Sequence, residues 1–176
     1  MSNLNQQQIR NLALKSPLGL LAFGFGSGLS PWAPGTMGTL LAWVLVPFLF
    51  MLPFPWQVIV VAVSLLAGVW ICGNVAERMG VHDHGGIVWD EIAAFWLCVL
   101  FIPYQWQWLL AAFVLFRFFD IIKPWPIGWA DKQVSGGMGI MLDDILAAVW
   151  TVLILQLALL FLNYDAWAVL DPRSGS

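Results

Sequence analysis

The chain has 176 residues, of which 61% are hydrophobic and only 10% charged, with a mean hydropathy of +0.84. An average soluble domain carries about 25% charged residues, so this composition excludes an ordinary soluble domain and predicts a single membrane domain. The net charge of −3 says little until the charges are placed along the chain, and no nucleic-acid partner is implied.

The first stretch, "MSNLNQQQIRNLALKSP", is polar. It has no basic region leading into an apolar core and no small-residue cleavage site, so a cleaved signal peptide is not expected. We read residues 1–16 as an N-terminal arm, 17–163 as one helical domain and 164–176 as a frayed C-terminal tail. A short helix is predicted over 17–27, too short to span a bilayer alone. Five apolar runs follow, at 36–53, 57–76, 88–103, 107–122 and 139–162. A membrane span needs about 17–25 residues. The second and fifth runs meet this; the third and fourth are short, which leaves tilted, re-entrant or shielded arrangements open. "WQVIVVAV" has strand propensity, but an isolated strand leaves its backbone unpaired in lipid. The predicted fold is therefore all-α: a helical membrane bundle of about five long helices plus a short N-terminal helix. Cys72 and Cys98 fall inside apolar runs and read as small buried residues, not as a disulfide or metal framework.

Alternating the runs across a bilayer gathers Arg10, Lys15, Arg78, Arg117, Lys123 and Lys132 on one face and leaves Arg173 on the other. The positive-inside rule makes the first face cytoplasmic. Glu77, Asp83, Asp90, Glu91, Asp120, Asp131, Asp143 and Asp144 share that face, with Asp165 and Asp171 opposite. Trp32, Trp89, Trp125 and Trp129 would mark the inner interface, and Trp56, Trp106, Trp108 and Trp167 the outer one, since indoles prefer that depth.

Four polar stretches converge on the cytoplasmic face. "GFGSGLSPWAPGTMGT" (24–39) opens the first long helix; Thr36 is placed to cap it, and its free amides would suit an anion. "VHDHGGIVWDEIAAF" (81–95) sets Asp90 and Glu91 in a first helical turn. They either complement the helix dipole or belong to a site; His82 and His84 upstream read as loop residues whose part in a site stays open. "FRFFDIIKPWPIGWADKQVSGGMG" (116–139) places Arg117 and Asp120 at i, i+3 with Lys123 nearby. Pro124 and Pro126 then stop the helix. Charges at membrane depth are expensive and point to function, whereas Asp131 and Lys132 read as a surface loop pair. "GGMGIMLDDILAA" gives a flexible glycine approach at Gly136, Gly137 and Gly139. Asp143 and Asp144 come next, diverging by ~100° on a helix. "CGNVAER" matches the spacing of a cysteine-phosphatase loop, but it continues an apolar helix and Glu77 would repel the anion.

Five converging carboxylates, Asp90, Glu91, Asp120, Asp143 and Asp144, are not balanced by Arg117 and Lys123. A divalent cation would balance them, and all-oxygen ligation suits Mg²⁺, or Mn²⁺. Carboxylates, a metal and basic side chains at an interface point to phosphoryl chemistry on a lipid headgroup.

Together, "GFGSGLSPWAPGTMGT", "HDHGGIVWDE", "FRFFDIIKPWPI" and "GGMGIMLDD" resemble the phosphatidylglycerophosphatase A family of bacterial inner membranes, over about residues 20–150. The resemblance implies Mg²⁺-dependent hydrolysis of phosphatidylglycerophosphate to phosphatidylglycerol and inorganic phosphate. It also implies a multi-pass protein whose partners are the lipid substrate and the bilayer. On this reading Asp90, Glu91, Asp120, Asp143 and Asp144 hold the metal or orient its water. Arg117 and Lys123 neutralise charge on the phosphoryl oxygens, and Gly35, Thr36 and Thr39 contact or shape the phosphate pocket. Water attack and a phospho-aspartate intermediate both stay open, as does the oligomeric state. Two rivals are a phosphatase for another lipid phosphate and a cation transporter. The clustering of acids at one end of the spans argues against the transporter.

Overall fold

The computed structural model describes residues 5–81 and 84–162, and among them every regular element is helical. In chain order these are α1 (Gln6–Lys15), α2 (Pro17–Ala22), a 3-10 segment (Gly24–Leu29), α3 (Pro34–Phe50) and α4 (Phe54–Met79). They continue with α5 (Trp89–Val99), α6 (Trp106–Ile122), α7 (Ile127–Gln133) and α8 (Gly136–Phe161). His82, Asp83, Asp165, Trp167, Asp171 and Arg173 lie outside the described residues.

The amino-terminal region holds a helix that the polarity of the arm concealed. Asn5 and Gln8 cap α1 reciprocally: each side chain accepts the other's backbone N–H at 2.8 Å, which satisfies two otherwise orphaned donors. Ala13 is buried, in a core cluster shared with Ala22 and Phe23, and α1 packs against α2 and the 3-10 segment. Ser16 then caps α2, accepting the Gly19 N–H at 2.9 Å, with Pro17 pre-set for the first helical position. The helix predicted over 17–27 stops at Ala22 and a 3-10 segment follows, because the chain turns left-handed at Gly24 (φ 51°), Phe25 (φ 55°) and Gly26 (φ 99°). Thr36 does not cap α3. Pro34 suits the first helical position, so α3 starts three residues earlier than a Thr36 cap would set it, and left-handed Ala33 takes the cap.

α4 and α8 are the long elements, 26 residues each and apolar enough to cross a membrane by length and composition. Val58, Ile59, Val63, Leu66 and Trp70 of α4 and Leu153, Leu157, Leu160 and Phe161 of α8 are exposed. Apolar faces of that extent suit a lipid surround rather than water. α3 and α6 have 17 residues each, at the lower limit for a span. α5 is different. Its 11 residues rise only ~16 Å, well short of a hydrocarbon core of about 30 Å. It is buried at Asp90 through Phe95 and again at Cys98 and Val99, and it packs against α3, α4, α6 and α8. The run at 88–103 is thus a shielded internal helix. Val46, Ile92, Phe95 and Phe116 centre one core cluster; Phe23, Ile71, Val75 and Met141 centre a second beside it. Cys72 and Cys98 are both buried, as expected.

Two readings of the 116–139 region are corrected. Residues 127–133 form α7, because Ile127 and Ala130, three apart on one helical face, are both buried; Asp131 pairs with Lys123 and not with Lys132. The glycines at 136, 137 and 139 are not a flexible approach but the first turn of α8. A Cβ on Gly137 would lie 1.8 Å from the Val69 carbonyl oxygen and 2.9 Å from the Gly73 backbone, so two helix backbones touch there. Gly137→Ala must part α4 from α8. We expect a loss of about 1–3 kcal/mol, as for other overpacked sites, visible as a lower thermal unfolding temperature in detergent.

The tryptophans divide. Trp32, Trp56, Trp106, Trp125 and Trp129 are exposed. Trp89 is not free for an interface: it is half-buried and donates its indole N–H to the Ser64 carbonyl at 3.1 Å. Trp108 packs against the first core cluster.

Candidate active site

The first turn of α5 is the floor of the site. The Val88 N–H donates to the Ala22 carbonyl at 2.8 Å, tying the entry of α5 to the end of α2. The glycine-rich stretch before α3 closes on the same turn. A Cβ on Gly28 would lie 2.0 Å from the Gly86 carbonyl oxygen, and one on Gly38 would lie 2.6 Å from the Val88 Cβ. These glycines therefore allow close backbone approach around the start of α5. His84 organises the preceding turn: its Nδ1 accepts the Gly86 N–H at 3.0 Å and its ring packs on Phe23.

Asp90 and Glu91 meet Asp144 of α8. One oxygen from each lies within 4.8 Å of the others, and all three residues are buried. Asp90 Oδ1, Glu91 Oε2, Asp143 Oδ1 and Asp144 Oδ1 are buried without a hydrogen-bond partner. Leaving buried acceptors unsatisfied is costly, more so for charged groups, and three converging carboxylates repel one another. A cation relieves both penalties, and a hard all-oxygen donor set fits Mg²⁺ or Mn²⁺.

The basic residues stand beside this cluster, each held by carboxylates. Arg117 Nη1 lies 2.7 Å from Asp120 Oδ2 one turn along α6, and 3.5 Å from both Glu91 Oε1 and Thr39 Oγ1. Thr39 donates its hydroxyl to the Gly35 carbonyl at 3.0 Å, so its oxygen is turned to accept from Arg117. Gly35 leaves the room: a Cβ there would meet Glu91 Oε1 at 2.1 Å. Thr36 sits nearby on α3, half-buried. Lys123 ends α6 in the left-handed region (φ 46°) and donates to Asp131 Oδ1 at 2.7 Å and Asp143 Oδ2 at 2.6 Å. Burial works to lower the Lys123 pKa, but those two hydrogen bonds outweigh it and raise the pKa above its ordinary value. The ammonium therefore keeps its charge.

The five expected carboxylates thus fall into two roles. Asp144 joins Asp90 and Glu91, whereas Asp143 faces Lys123; Asp120 holds Arg117. Sequence reasoning missed Asp131, which α7 brings to Lys123. The Arg117–Asp120 spacing of three was legible; the pairing across α7 was not.

The family model for phosphatidylglycerophosphatase A matches residues 20–159. The chain is 52% identical over 142 residues to phosphatidylglycerophosphatase A of Escherichia coli (strain K12), covering 78% of this chain and 81% of the relative. It is 47% identical over 148 residues to the protein of the same name from Haemophilus influenzae, covering 83% and 91%. A protein of Bacteroides thetaiotaomicron, provisionally named a phosphatidylinositol-3-phosphatase, is 38% identical over 147 residues, covering 79% and 91%. No solved structure matches the chain. The family match spans all four polar stretches and every element from α3 through most of α8, and on that ground the chain belongs to the phosphatidylglycerophosphatase A family of phosphatases.

Proposed function

We propose that this chain hydrolyses the terminal phosphate of phosphatidylglycerophosphate, yielding phosphatidylglycerol and inorganic phosphate, with Mg²⁺ held by Asp90, Glu91 and Asp144. The observation that carries the reading is the triplet of buried carboxylates with unpartnered oxygens. The names of the Escherichia coli and Haemophilus influenzae relatives supply the substrate. When bound, a divalent cation would polarise a phosphoryl oxygen and acidify a coordinated water. The chain's own residues do the rest. Asp120 and Asp143 orient Arg117 and Lys123. Arg117 Nε is buried without a partner, and Lys123 has a third N–H beyond the two it gives to carboxylates. Both donors serve phosphoryl oxygens of the headgroup. Gly35, Thr36 and Thr39 shape the wall of that pocket.

The diacylglycerol part stays in the lipid and the headgroup reaches the site from the cytoplasmic face of the inner membrane. Arg117 and Lys123 lie in the site itself, and α8 runs from the site for 26 residues, long enough to cross the bilayer, which supports that orientation. A reporter fused at the C-terminus should then read as external.

The test is phosphate release from phosphatidylglycerophosphate in mixed micelles by the purified protein. We expect release with Mg²⁺, loss on chelation and recovery when Mg²⁺ returns. No release with Mg²⁺, Mn²⁺ or other divalent ions would sink the enzyme assignment. The Bacteroides relative's name favours a second reading, a phosphatase for a different lipid phosphate; competition between headgroups separates the two.

A further inference from the structure

Lys123 is held on every side. Its backbone is left-handed, which is costly for a residue with a Cβ. Its N–H donates to the Phe119 carbonyl at 2.8 Å. α7 lies directly on its peptide, since a Cβ on Gly128 would come 2.6 Å from the Lys123 carbonyl oxygen. Its ammonium is shared between Asp143 of α8, with a side chain 8% exposed, and Asp131 of α7, with a side chain 38% exposed. A pair as open as Lys123–Asp131 adds little to stability. Its value lies in where it puts the ammonium.

We propose that Asp131 is a positioning residue: it keeps the Lys123 ammonium on one oxygen of Asp143 and so holds its remaining N–H towards a phosphoryl oxygen of the lipid headgroup. The proposal rests on the phosphatase reading above. Without Asp131, the freed N–H can turn to the second oxygen of Asp143, since Oδ1 is buried and unpartnered beside the 2.6 Å contact to Oδ2. Both carboxylate oxygens would then compete for the ammonium, and the phosphate would lose its donor. The chain supplies the geometry through α7, which carries Asp131 back over the end of α6 after the turn at Pro124 and Pro126.

The test is a double-mutant cycle with Lys123→Met, Asp131→Asn and the pair, assayed on phosphatidylglycerophosphate in mixed micelles. Asp131→Asn should raise KM about tenfold, with kcat changed less than about twofold, the pattern of lost binding common to ground and transition states. In the Lys123→Met background it should change neither. Asp131→Glu should restore most of the lost affinity. If Asp131→Asn does not fold, Asp131→Ser and Asp131→Glu carry the cycle. Equal losses in both backgrounds, or a loss confined to thermal unfolding, would overturn the proposal. Wild-type protein inert on phosphatidylglycerophosphate but active on phosphatidic acid would overturn the substrate assignment alone, and the cycle is then read on phosphatidic acid. Wild-type protein inert on both overturns both.

Discussion

Asp144→Asn is expected to cut phosphate release by at least the ~100-fold that loss of an outer-shell metal partner can cost, while the chain still folds and inserts. Asparagine keeps the volume of aspartate, so the packing around this buried residue is retained. What goes is one negative charge from a triplet whose oxygens lie within 4.8 Å of one another. Metal affinity should fall first, so part of the lost rate should return at high Mg²⁺. Asp143→Asn is expected to be milder, because its side-chain oxygen can still accept from Lys123. Turnover measured across a Mg²⁺ series, with helicity by circular dichroism on the same samples, separates these effects. Near-normal turnover in Asp144→Asn at low Mg²⁺ would mean the cluster is structural.

That contrast shows how far the sequence carries. Neighbouring residues on a helix diverge by ~100°, so the pair at 143 and 144 was legible as two roles. Which residue takes which role was not, because it depends on α5 arriving beside α8 and on α7 turning back to bring Asp131 to Lys123. The polar stretches were legible as one site because alternation of apolar runs puts their ends on one face. The engagement of Lys123 by Asp131 and Asp143, and of Arg117 by Glu91, was not legible, because these partners come from other helices.

The helices follow the same rule. α4, α6 and α8 were legible as long or well-bounded apolar runs. α5 was legible as a run but its shielding was only one of the arrangements left open, because a short helix buried on all sides and a membrane span are both continuous runs without a polar face; only its neighbours distinguish them. α1 carried a readable signal, the Asn5–Gln8 capping box, hidden by the polarity around it. The glycines opening α8 looked like a hinge because the helix they touch, α4 at Val69 and Gly73, lies far away in the chain.

Gly35→Ala is expected to damage the enzyme nearly as much as Asp144→Asn, by another route. By helix propensity alone the change is favourable, by ~1 kcal/mol, and Gly35 has no positive φ to protect. The obstacle is the site itself. The new Cβ would meet Glu91 Oε1 at 2.1 Å and the Arg117 guanidinium at 2.9 and 3.1 Å. Those atoms end flexible side chains, so the fold can yield; what cannot be kept is a Glu91 that faces both Arg117 and the other two carboxylates, Asp90 and Asp144. Turnover should therefore fall on the order of 10–100-fold, as when a metal ligand loses its orienting partner, with the unfolding temperature little changed. Gly38→Ala is the control, because its Cβ would press on the Val88 Cβ at 2.6 Å, where a β-branched side chain has little freedom to move. It should lose stability first and activity only in consequence. Both variants are read by turnover and thermal unfolding on one preparation. If Gly35→Ala loses the two in parallel, as Gly38→Ala should, then the glycine serves packing alone and Glu91 does not depend on the space it leaves.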